Sequence, residues 1–198
     1  KDFHASTAAK IFGLDIDEVD STLRSQAKAV NFGIVYGQQA FGLSKSLGIP
    51  FEDAQNFIDK YFETYPKVRE YLDKTVEEAR KNSYASTMFG RRRYIPELLS
   101  SNGALRKFGE RTAMNHPMQG SAADIIKLAM IEIFDKLNSE KFASQMILQV
   151  HDELCFSVKK DELEKLESMV QDAMENVVKL KVPLVVDINH ASNWADAH

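Results

Sequence analysis

The sequence predicts an α+β fold, in which a helical first part is followed by a smaller antiparallel sheet backed by helices. Apolar residues recur at helical spacing through most of the first half of the chain. In the second half, the apolar segments MILQV and ELCFSV flank a polar turn and predict a β-hairpin. Because helices come first and do not alternate with single strands, a repeating βαβ arrangement is excluded.

Five helices are expected before the first hairpin, since glycine, proline or a capping residue bounds each helical pattern. Asp20 or Ser21 should cap the second helix, and Gly37 should stop it. The fourth helix is expected to present one apolar face, made of Phe51, Ala54, Phe57, Ile58, Tyr61 and Phe62. The predicted helices cover residues 7–12, 24–36, 40–47, 51–65 and 66–81.

A hairpin and two further helices are expected in the middle of the chain. YASTMFGRRRYIP predicts a hairpin with its turn near Phe89–Gly90. A helix over 104–115 should break before Pro117. Ser121 with Asp124 resembles a capping box that begins a long helix to about residue 137. The core face of that helix is expected to be Ile125, Leu128, Ala129 and Ile133.

The last third is predicted to contain a hairpin, a helix and a strand. MILQV and ELCFSV should pair around a turn at His151–Asp152. A helix over 161–180 should follow, and the apolar segment PLVVDIN is expected to form a final strand.

Composition is typical of one large or two small globular domains, with 198 residues, 44% hydrophobic and 27% charged. No apolar run approaches the roughly 18 residues that would span a bilayer, and no basic-then-apolar leader opens the chain. Cys155 is the only cysteine, which excludes an intrachain disulfide and favours a reducing compartment. A cytoplasmic protein with no membrane partner is therefore expected.

The distribution of charge favours a polyanionic partner more than the net charge does. The formal net charge of −4 argues weakly against a nucleic-acid binder. Residues 21–50 nevertheless contain three basic residues and no acid, and residues 79–96 contain five basic residues and no acid. A polyanion would prefer the first two-thirds of the chain, although either cluster taken singly could be an ordinary solvated face.

Four residues spaced by four share one broad face of the second predicted helix: Arg24, Lys28, Phe32 and Tyr36. Two cations occupy the first half of this face and two aromatic rings the second, as a polyphosphate with an attached base would require. Spacing alone favours a more ordinary interpretation, in which the aromatic residues belong to the core and the cations to a solvated edge.

The same run resembles the fingers helix of the family A DNA polymerases, the bacterial polymerase I type. That family's pattern, R-x-x-x-K-x-x-x-N-F-G-x-x-Y-G, is complete from Arg24 to Gly37. The resemblance implies that Arg24 and Lys28 bind the triphosphate of a dNTP, with Lys28 also catalytic. It implies that Phe32 packs against the sugar and base, and that Tyr36 holds the space for the templating base.

Two features near this helix add to the implied nucleotide site. DFHASTA resembles the family's D-x-H-x-x-T-A, which makes His4 a candidate triphosphate contact, although a lone histidine is more often structural. Phenylalanine rather than tyrosine at position 32 is expected to disfavour dideoxynucleotides. The helix would close on a matched base pair and so couple binding to conformational change.

VHDE, at residues 150–153, is the second candidate site. A tight turn between two strands would expose the carboxylate of Asp152, and carboxylate oxygens suit Mg²⁺. Polar turn residues are common at hairpins, so the pattern alone is weak. QVHDEL, however, resembles the second palm motif of family A. That resemblance implies a catalytic, metal-binding role for Asp152, an auxiliary one for Glu153, and a contact of His151 near the primer terminus.

The third candidate site is ERTAMNHPMQGSAADIIK, in which Arg111, Asn115 and Gln119 provide hydrogen-bond donors. Every base pair presents acceptors in the minor groove, so donors there can check pair geometry without reading sequence. Capping and backbone contacts are the alternative for the two amides. The resemblance to the family's E-R-x-A-x-N-x-P-x-Q-G implies contact with primer–template DNA. His116 is outside that pattern, and the arginines of GRRRYIP are candidate phosphate contacts.

The resemblance covers essentially the whole chain, but the chain lacks the family's first palm motif, a D-Y-S-Q-I-E-L-R-like run. That motif supplies the partner catalytic aspartate, so a two-Mg²⁺ site would be incomplete here. Residues 1–90 are expected to be fingers and 91–198 the C-terminal part of the palm, with the missing N-terminal part as a partner. The chain alone should be inactive or nearly so.

Two other function classes are open at this point. A non-catalytic module would bind nucleotide and primer–template DNA with salt-dependent affinity and never extend a primer. A metal nuclease is weakly supported, because it needs more clustered carboxylates than the adjacent pair at 152 and 153.

Overall fold

A computed structural model describes residues 2–197 of the chain and confirms the α+β class. The chain divides into two compact units, the first ending at Gly120 and the second beginning at Ser121. This division falls inside one long helix. The functional boundary between fingers and palm near residue 90 stays a prediction.

The helices and strands follow one another in an order close to the predicted one. In the first half they are α1 (Phe3–Phe12), α2 (Ser21–Val35), α3 (Ala40–Leu47), α4 (Phe51–Thr64), α5 (Pro66–Asn82), β1 (Tyr84–Ser86) and β2 (Arg92–Tyr94). The second half contains α6 (Gly103–Ser139), β3 (Gln145–Val150), β4 (Glu153–Ser157), α7 (Leu163–Asn176) and α8 (Trp194–Ala197). None of the helices among these described residues is long and apolar enough to cross a membrane.

Local sequence signals explain where the first helices begin and end. The Asp20 side chain caps α2 by accepting a hydrogen bond from the backbone N–H of Leu23 at 2.7 Å. Gly48 ends α3 in the left-handed conformation, with φ of 66°. These helices enclose a core that includes Ile11, Val30, Ile34, Leu43, Ile58, Tyr61 and Leu72.

The predicted apolar face of α4 is confirmed at its centre and wrong at its first residue. Ala54, Ile58 and Tyr61 are buried, whereas the Phe51 side chain is 53% exposed. Phe51 is the first residue of α4, where no preceding helical turn shields its ring. The helical period therefore predicted which face of α4 is buried, but not at which residue the buried part of that face begins.

The first hairpin forms as predicted, with Gly90 at φ of 82° in its turn. Thr87 stabilises the turn, because its hydroxyl accepts hydrogen bonds from the backbone N–H groups of Phe89 and Arg91. A short 3₁₀ helix, Pro96–Leu99, then leads toward α6. Its Leu98 belongs to a small core with Ala79, Ala85, Ile95 and Ala113.

The predicted break before Pro117 is wrong, because α6 runs without interruption through this proline. Proline inside a helix costs about 3 kcal/mol through a lost hydrogen bond and a steric clash. Both turns beside Pro117 are packed, with Ala113, His116 and Gly120 buried, and this packing offsets the cost. Ser121 is consequently a buried residue inside the helix and not its N-cap.

The buried stripe of the second half of α6 agrees with the predicted one in part. Ile126, Ala129, Ile133 and Leu137 are buried, whereas Leu128 is 39% exposed. The prediction of Ala129 and Ile133 is confirmed, the prediction of Leu128 is wrong, and Ile125 is only half-buried. In the second unit Ile133 and Leu137 of this stripe pack with Leu166, Val170 and Ala173 of α7.

The second hairpin, β3–β4, forms as predicted around residues 151–152. The predicted strand PLVVDIN is wrong, because residues 183–189 adopt no regular structure and Val185 is largely exposed. A strand needs a partner for its backbone hydrogen bonds, and β3 and β4 pair only with each other among residues 2–197. Helix α7 also ends earlier than predicted, at Asn176, and the chain turns back so that the N–H of Val186 reaches Glu175.

Replacing Gly109 with alanine is expected to destabilise the protein by about 1–2 kcal/mol, because an added Cβ has no room. It would lie 2.9 Å from the backbone nitrogen of Leu98 and 3.1 Å from the carbonyl carbon of Glu97. Gly103→Ala is the matched control on the same helix, since its Cβ would approach only Arg106, at 4.0 Å. Urea unfolding of both variants checks the prediction, and equal stability of the two would contradict it.

Candidate nucleotide and nucleic-acid site

The face of α2 that carries two cations and two aromatic rings lies on the surface. The Phe32 and Tyr36 side chains are 46% and 41% exposed, and Arg24 and Lys28 are exposed as well. The core side of the helix is a different stripe, made of Ala27, Val30, Asn31 and Ile34. The interpretation of these aromatic residues as core is therefore wrong, and the stripe is available to a ligand.

Three rings follow one another along this face, two of them nearly parallel and the third tilted. The rings of Phe32 and Tyr36 are stacked, with centroids 6.3 Å apart and planes inclined by 13°. The His4 ring lies on the other side of Phe32, at a centroid distance of 5.6 Å and an angle of 44°. Exposed stacked rings suit a planar base, because every base has a π-face on which an aromatic side chain can stack.

His4 is brought to α2 by Asn31, a residue to which the sequence assigned no role. Nδ2 of Asn31 lies 3.0 Å from Nδ1 of His4, and Asn31 is only 4% exposed. A buried amide at this point orients the imidazole and leaves its Nε2 directed away from the contact. The sequence carried one signal for this contact, since Asn31 is a polar residue within the apolar stripe of an amphipathic helix.

Arg24 is held by Asp2, which the sequence also left without a role. Nε of Arg24 donates to Oδ2 of Asp2 at 2.6 Å, and Oδ1 of Asp2 accepts from the backbone N–H groups of His4 and Ala5. The hydrogen bond from Arg24, followed by that from Ala5, lowers the pKa of Asp2 from 3.8 to about 2. Asp2 is thus ionised at neutral pH and neutralises part of the charge of Arg24.

The end of α2 approaches α6 closely at Gly37. Gly37 has φ of 69°, and a Cβ there would lie 2.8 Å from Cε of Met114 and 3.0 Å from Cγ of Arg111. Tyr36 precedes this contact directly, so the aromatic end of α2 and the candidate DNA contact Arg111 are brought together. A glycine is favoured here by its left-handed backbone conformation, and a Cβ would also force the Met114 and Arg111 side chains to shift.

Arg111, Asn115 and Gln119 lie on one side of α6, because the helix is continuous through Pro117. Gln119 is exposed, and Arg111 and Asn115 are half-buried. Oδ1 of Asn115 is buried without a hydrogen-bond partner among the described residues. The predicted break would have separated Gln119 from the other two, so the structure groups these three residues more closely than expected.

The arginines of the first hairpin have different surroundings. Nη2 of Arg91 donates to the carbonyl oxygen of Gly120 at 2.9 Å, which ties the hairpin to α6. His116 lies at the same junction, with Nε2 3.4 Å from the carbonyl oxygen of Arg91. Arg92 and Arg93 are exposed, and the guanidinium of Arg92 lies over the ring of Tyr84. Arg92 and Arg93 are the better candidates for phosphate contacts.

The second unit presents its candidate residues at the tip of the β3–β4 hairpin. His151 adopts φ of 52°, and its carbonyl oxygen accepts a hydrogen bond from Nε2 of Gln149 at 3.0 Å. His151, Asp152 and Glu153 are all exposed. Two adjacent carboxylates offer the oxygen donors that Mg²⁺ prefers. Among residues 2–197, however, no cluster of three acidic, histidine or cysteine side chains could hold a metal ion.

Comparison with known proteins identifies relatives over nearly the whole chain. The family model described as DNA polymerase family A matches residues 1–196. The chain is 52% identical over 193 residues to DNA polymerase I of Caldicellulosiruptor bescii and 50% identical over 196 residues to that of Bacillus subtilis. These matches cover 98% and 99% of this chain but only 23% and 22% of the relatives.

A solved structure has the same fold. The chain matches the POL domain of Pol1 from M. smegmatis, a complex with DNA primer-template and dNTP, with a TM-score of 0.89 and 46% identity. The match covers 93% of this chain and 32% of that structure's chain. The sequence therefore spans about a fifth of the length of the curated relatives and about a third of the POL domain.

Proposed function

The chain belongs to DNA polymerase family A, and we propose that it supplies the dNTP-binding helix, the minor-groove contacts and one catalytic carboxylate of a larger DNA polymerase I. The reaction is template-directed transfer of a nucleotide from a dNTP to a primer 3′-hydroxyl. DNA replication and repair in the cytoplasm, at the nucleoid, are the processes that such an enzyme would serve. Primer–template DNA, dNTPs and the rest of the polymerase region are its proposed partners.

The single observation that carries this proposal is the exposed stripe of α2. Arg24 and Lys28 provide positive charge for a triphosphate, and the stacked rings of Phe32 and Tyr36 provide a surface for a base. Burial of these rings in the core would have removed the site. His4, beside Phe32, adds a nitrogen donor or acceptor at the same face.

The contacts to DNA are proposed for α6 and the first hairpin. Arg111, Asn115 and Gln119 would donate to minor-groove acceptors, which every base pair presents. Arg92 and Arg93 would bind phosphates and position the duplex without reading its sequence. The M. smegmatis relative carries primer-template and dNTP together, which supports both kinds of ligand for this chain.

Asp152 and Glu153 would hold a divalent cation at the hairpin tip, with Mg²⁺ as the proposed ion and His151 beside the primer terminus. When bound, such ions neutralise charge on the transferring phosphate and activate the attacking hydroxyl. Two adjacent carboxylates fit one part of a two-metal site, and the missing upstream palm motif would supply the partner aspartate. The proposal therefore includes inactivity of this chain by itself.

The rival function is a binding module that never extends a primer. Mg²⁺-dependent primer extension distinguishes the two, if the 198-residue chain is compared with a chain that also contains the missing upstream part of the polymerase region. We expect no extension by the first and template-directed extension by the second. Binding of primer–template by both chains without extension by either would favour the module, and extension by the 198-residue chain alone would refute its proposed inactivity.

A further inference from the structure

The carboxylate of Asp2 joins two parts of the proposed nucleotide site. Its Oδ1 accepts hydrogen bonds from the backbone N–H groups of His4 at 2.9 Å and Ala5 at 3.1 Å, which caps α1. Its Oδ2 accepts from Nε of Arg24 at 2.6 Å. One side chain thus connects the helix that carries His4 with the helix that carries Arg24.

We propose that Asp2 is a positioning residue for triphosphate binding, because it holds the Arg24 guanidinium by Nε and leaves the terminal nitrogens directed at the ligand. This inference rests on the proposed function. Asp2 itself would not touch the triphosphate, since a carboxylate repels phosphate oxygens.

The choice of nitrogen is the first argument. A guanidinium has five N–H donors, and the edge formed by its two terminal nitrogens matches two oxygens of a phosphate. Asp2 uses only Nε, and Arg24 makes no other side-chain hydrogen bond to the described residues. The Arg24 side chain is 48% exposed, and no described residue accepts a hydrogen bond from its terminal nitrogens.

The second argument is that the same carboxylate places His4. The cap fixes the first turn of α1, and the Asn31 amide then holds Nδ1 of His4 at 3.0 Å. Asp2 therefore contributes to the position of both ligand-binding groups. It holds Arg24 directly, and it fixes the helical turn that carries His4. Ordering long side chains before a ligand arrives reduces the entropy lost on binding.

The alternative is that Asp2 occupies the place of a phosphate and must be displaced by it. The two roles predict opposite signs. A positioning residue that is removed weakens triphosphate binding, whereas a competitor that is removed strengthens it.

The test compares Asp2→Asn with Asp20→Asn in the 198-residue chain. Asparagine caps a helix about as well as aspartate, so both variants keep their caps. The Asp20 side chain caps α2 through the backbone N–H of Leu23, and the Arg24 guanidinium pairs with Asp2 and not with Asp20, which makes Asp20 the matched control. Fluorescently labelled dGTP is titrated with each protein variant in the presence of Mg²⁺, and the titration gives the dissociation constant of the nucleotide. We expect Asp2→Asn to raise the dissociation constant about 3–10-fold. We expect Asp20→Asn to leave the dissociation constant unchanged.

A second comparison separates positioning from a purely structural role. In an Arg24→Ala background, Asp2→Asn is expected to cause no further loss of affinity, because the group that it positions is absent. A loss of the same size in both backgrounds would mean that Asp2 affects binding independently of Arg24, and the inference would be wrong. An increase in affinity on Asp2→Asn would identify Asp2 as a competitor and would also overturn it.

The experiment also distinguishes failure of the inference from failure of the proposed function. If Arg24→Ala leaves the affinity for labelled dGTP unchanged, the proposed triphosphate site is wrong and Asp2 loses its role with it. If Arg24→Ala weakens binding while Asp2→Asn does not, the site stands and only the inference about Asp2 fails.

Discussion

Replacing Asp152 with alanine is expected to reduce primer extension about 10³-fold in a polymerase that contains this chain together with the missing upstream part. The Asp152 carboxylate is exposed at the tip of the β3–β4 hairpin, beside Glu153. Its removal takes away an oxygen ligand of the proposed Mg²⁺ site. The negative charge that develops during phosphoryl transfer would then lose much of its stabilisation.

Asp135→Ala is the matched control for this prediction. Asp135 is an exposed acid of the same unit, on α6, and forms no ion pair with a described residue. Single-turnover extension, measured over a range of Mg²⁺ concentrations, gives the rate for each variant. We expect Asp135→Ala to extend at the unaltered rate. Similar rates for the two variants would exclude Asp152 from the catalytic site.

Replacing Phe32 with tyrosine is expected to relax discrimination against dideoxynucleotides, by about 10–100-fold in the ratio of kcat/KM values. The Phe32 ring is half-exposed on the proposed nucleotide face and stacks on Tyr36. A phenolic hydroxyl at its outer edge would add one hydrogen-bonding group where the sugar is proposed to lie. A dideoxynucleotide lacks the 3′-hydroxyl of the sugar. The tyrosine hydroxyl would replace part of the hydrogen bonding that this missing group provides.

Phe41→Tyr is the control, because Phe41 is an exposed phenylalanine on α3, a different helix of the same unit. Competition between a dideoxynucleotide and the matching dNTP in primer extension measures the ratio directly. We expect Phe41→Tyr to leave the ratio unchanged. If Phe32→Tyr also leaves the ratio of kcat/KM values unchanged, the ring at position 32 does not face the sugar.

The candidate nucleotide face could be predicted from the sequence, whereas its supporting residues could not. Arg24, Lys28, Phe32 and Tyr36 share a face because helical geometry alone places them there. Whether that face pointed to solvent or to the core depended on how α2 packs in its unit. Asp2 supports Arg24 across a gap of 22 residues, and no local pattern contains such a contact.

Asn31 and His116 also make contacts that the local sequence could not predict. Asn31 was part of the recognised pattern, but its contact with His4 depends on the packing of α1 against α2. His116 lay outside the pattern, and its place beside Arg91 depends on how the first hairpin meets α6. In both cases the polar group is buried, and burial is a property of the fold and not of the local sequence.

The sequence by itself determined the cap of α2 at Asp20, the hairpin turns and the residues that share the α2 face, because these depend on neighbours within a few positions along the chain. Only the tertiary structure decided that α6 continues through Pro117, since packing on both sides of the proline offsets the lost hydrogen bond. It also decided that PLVVDIN forms no strand, because residues 183–189 pair with neither β3 nor β4, and a strand requires such backbone hydrogen bonds.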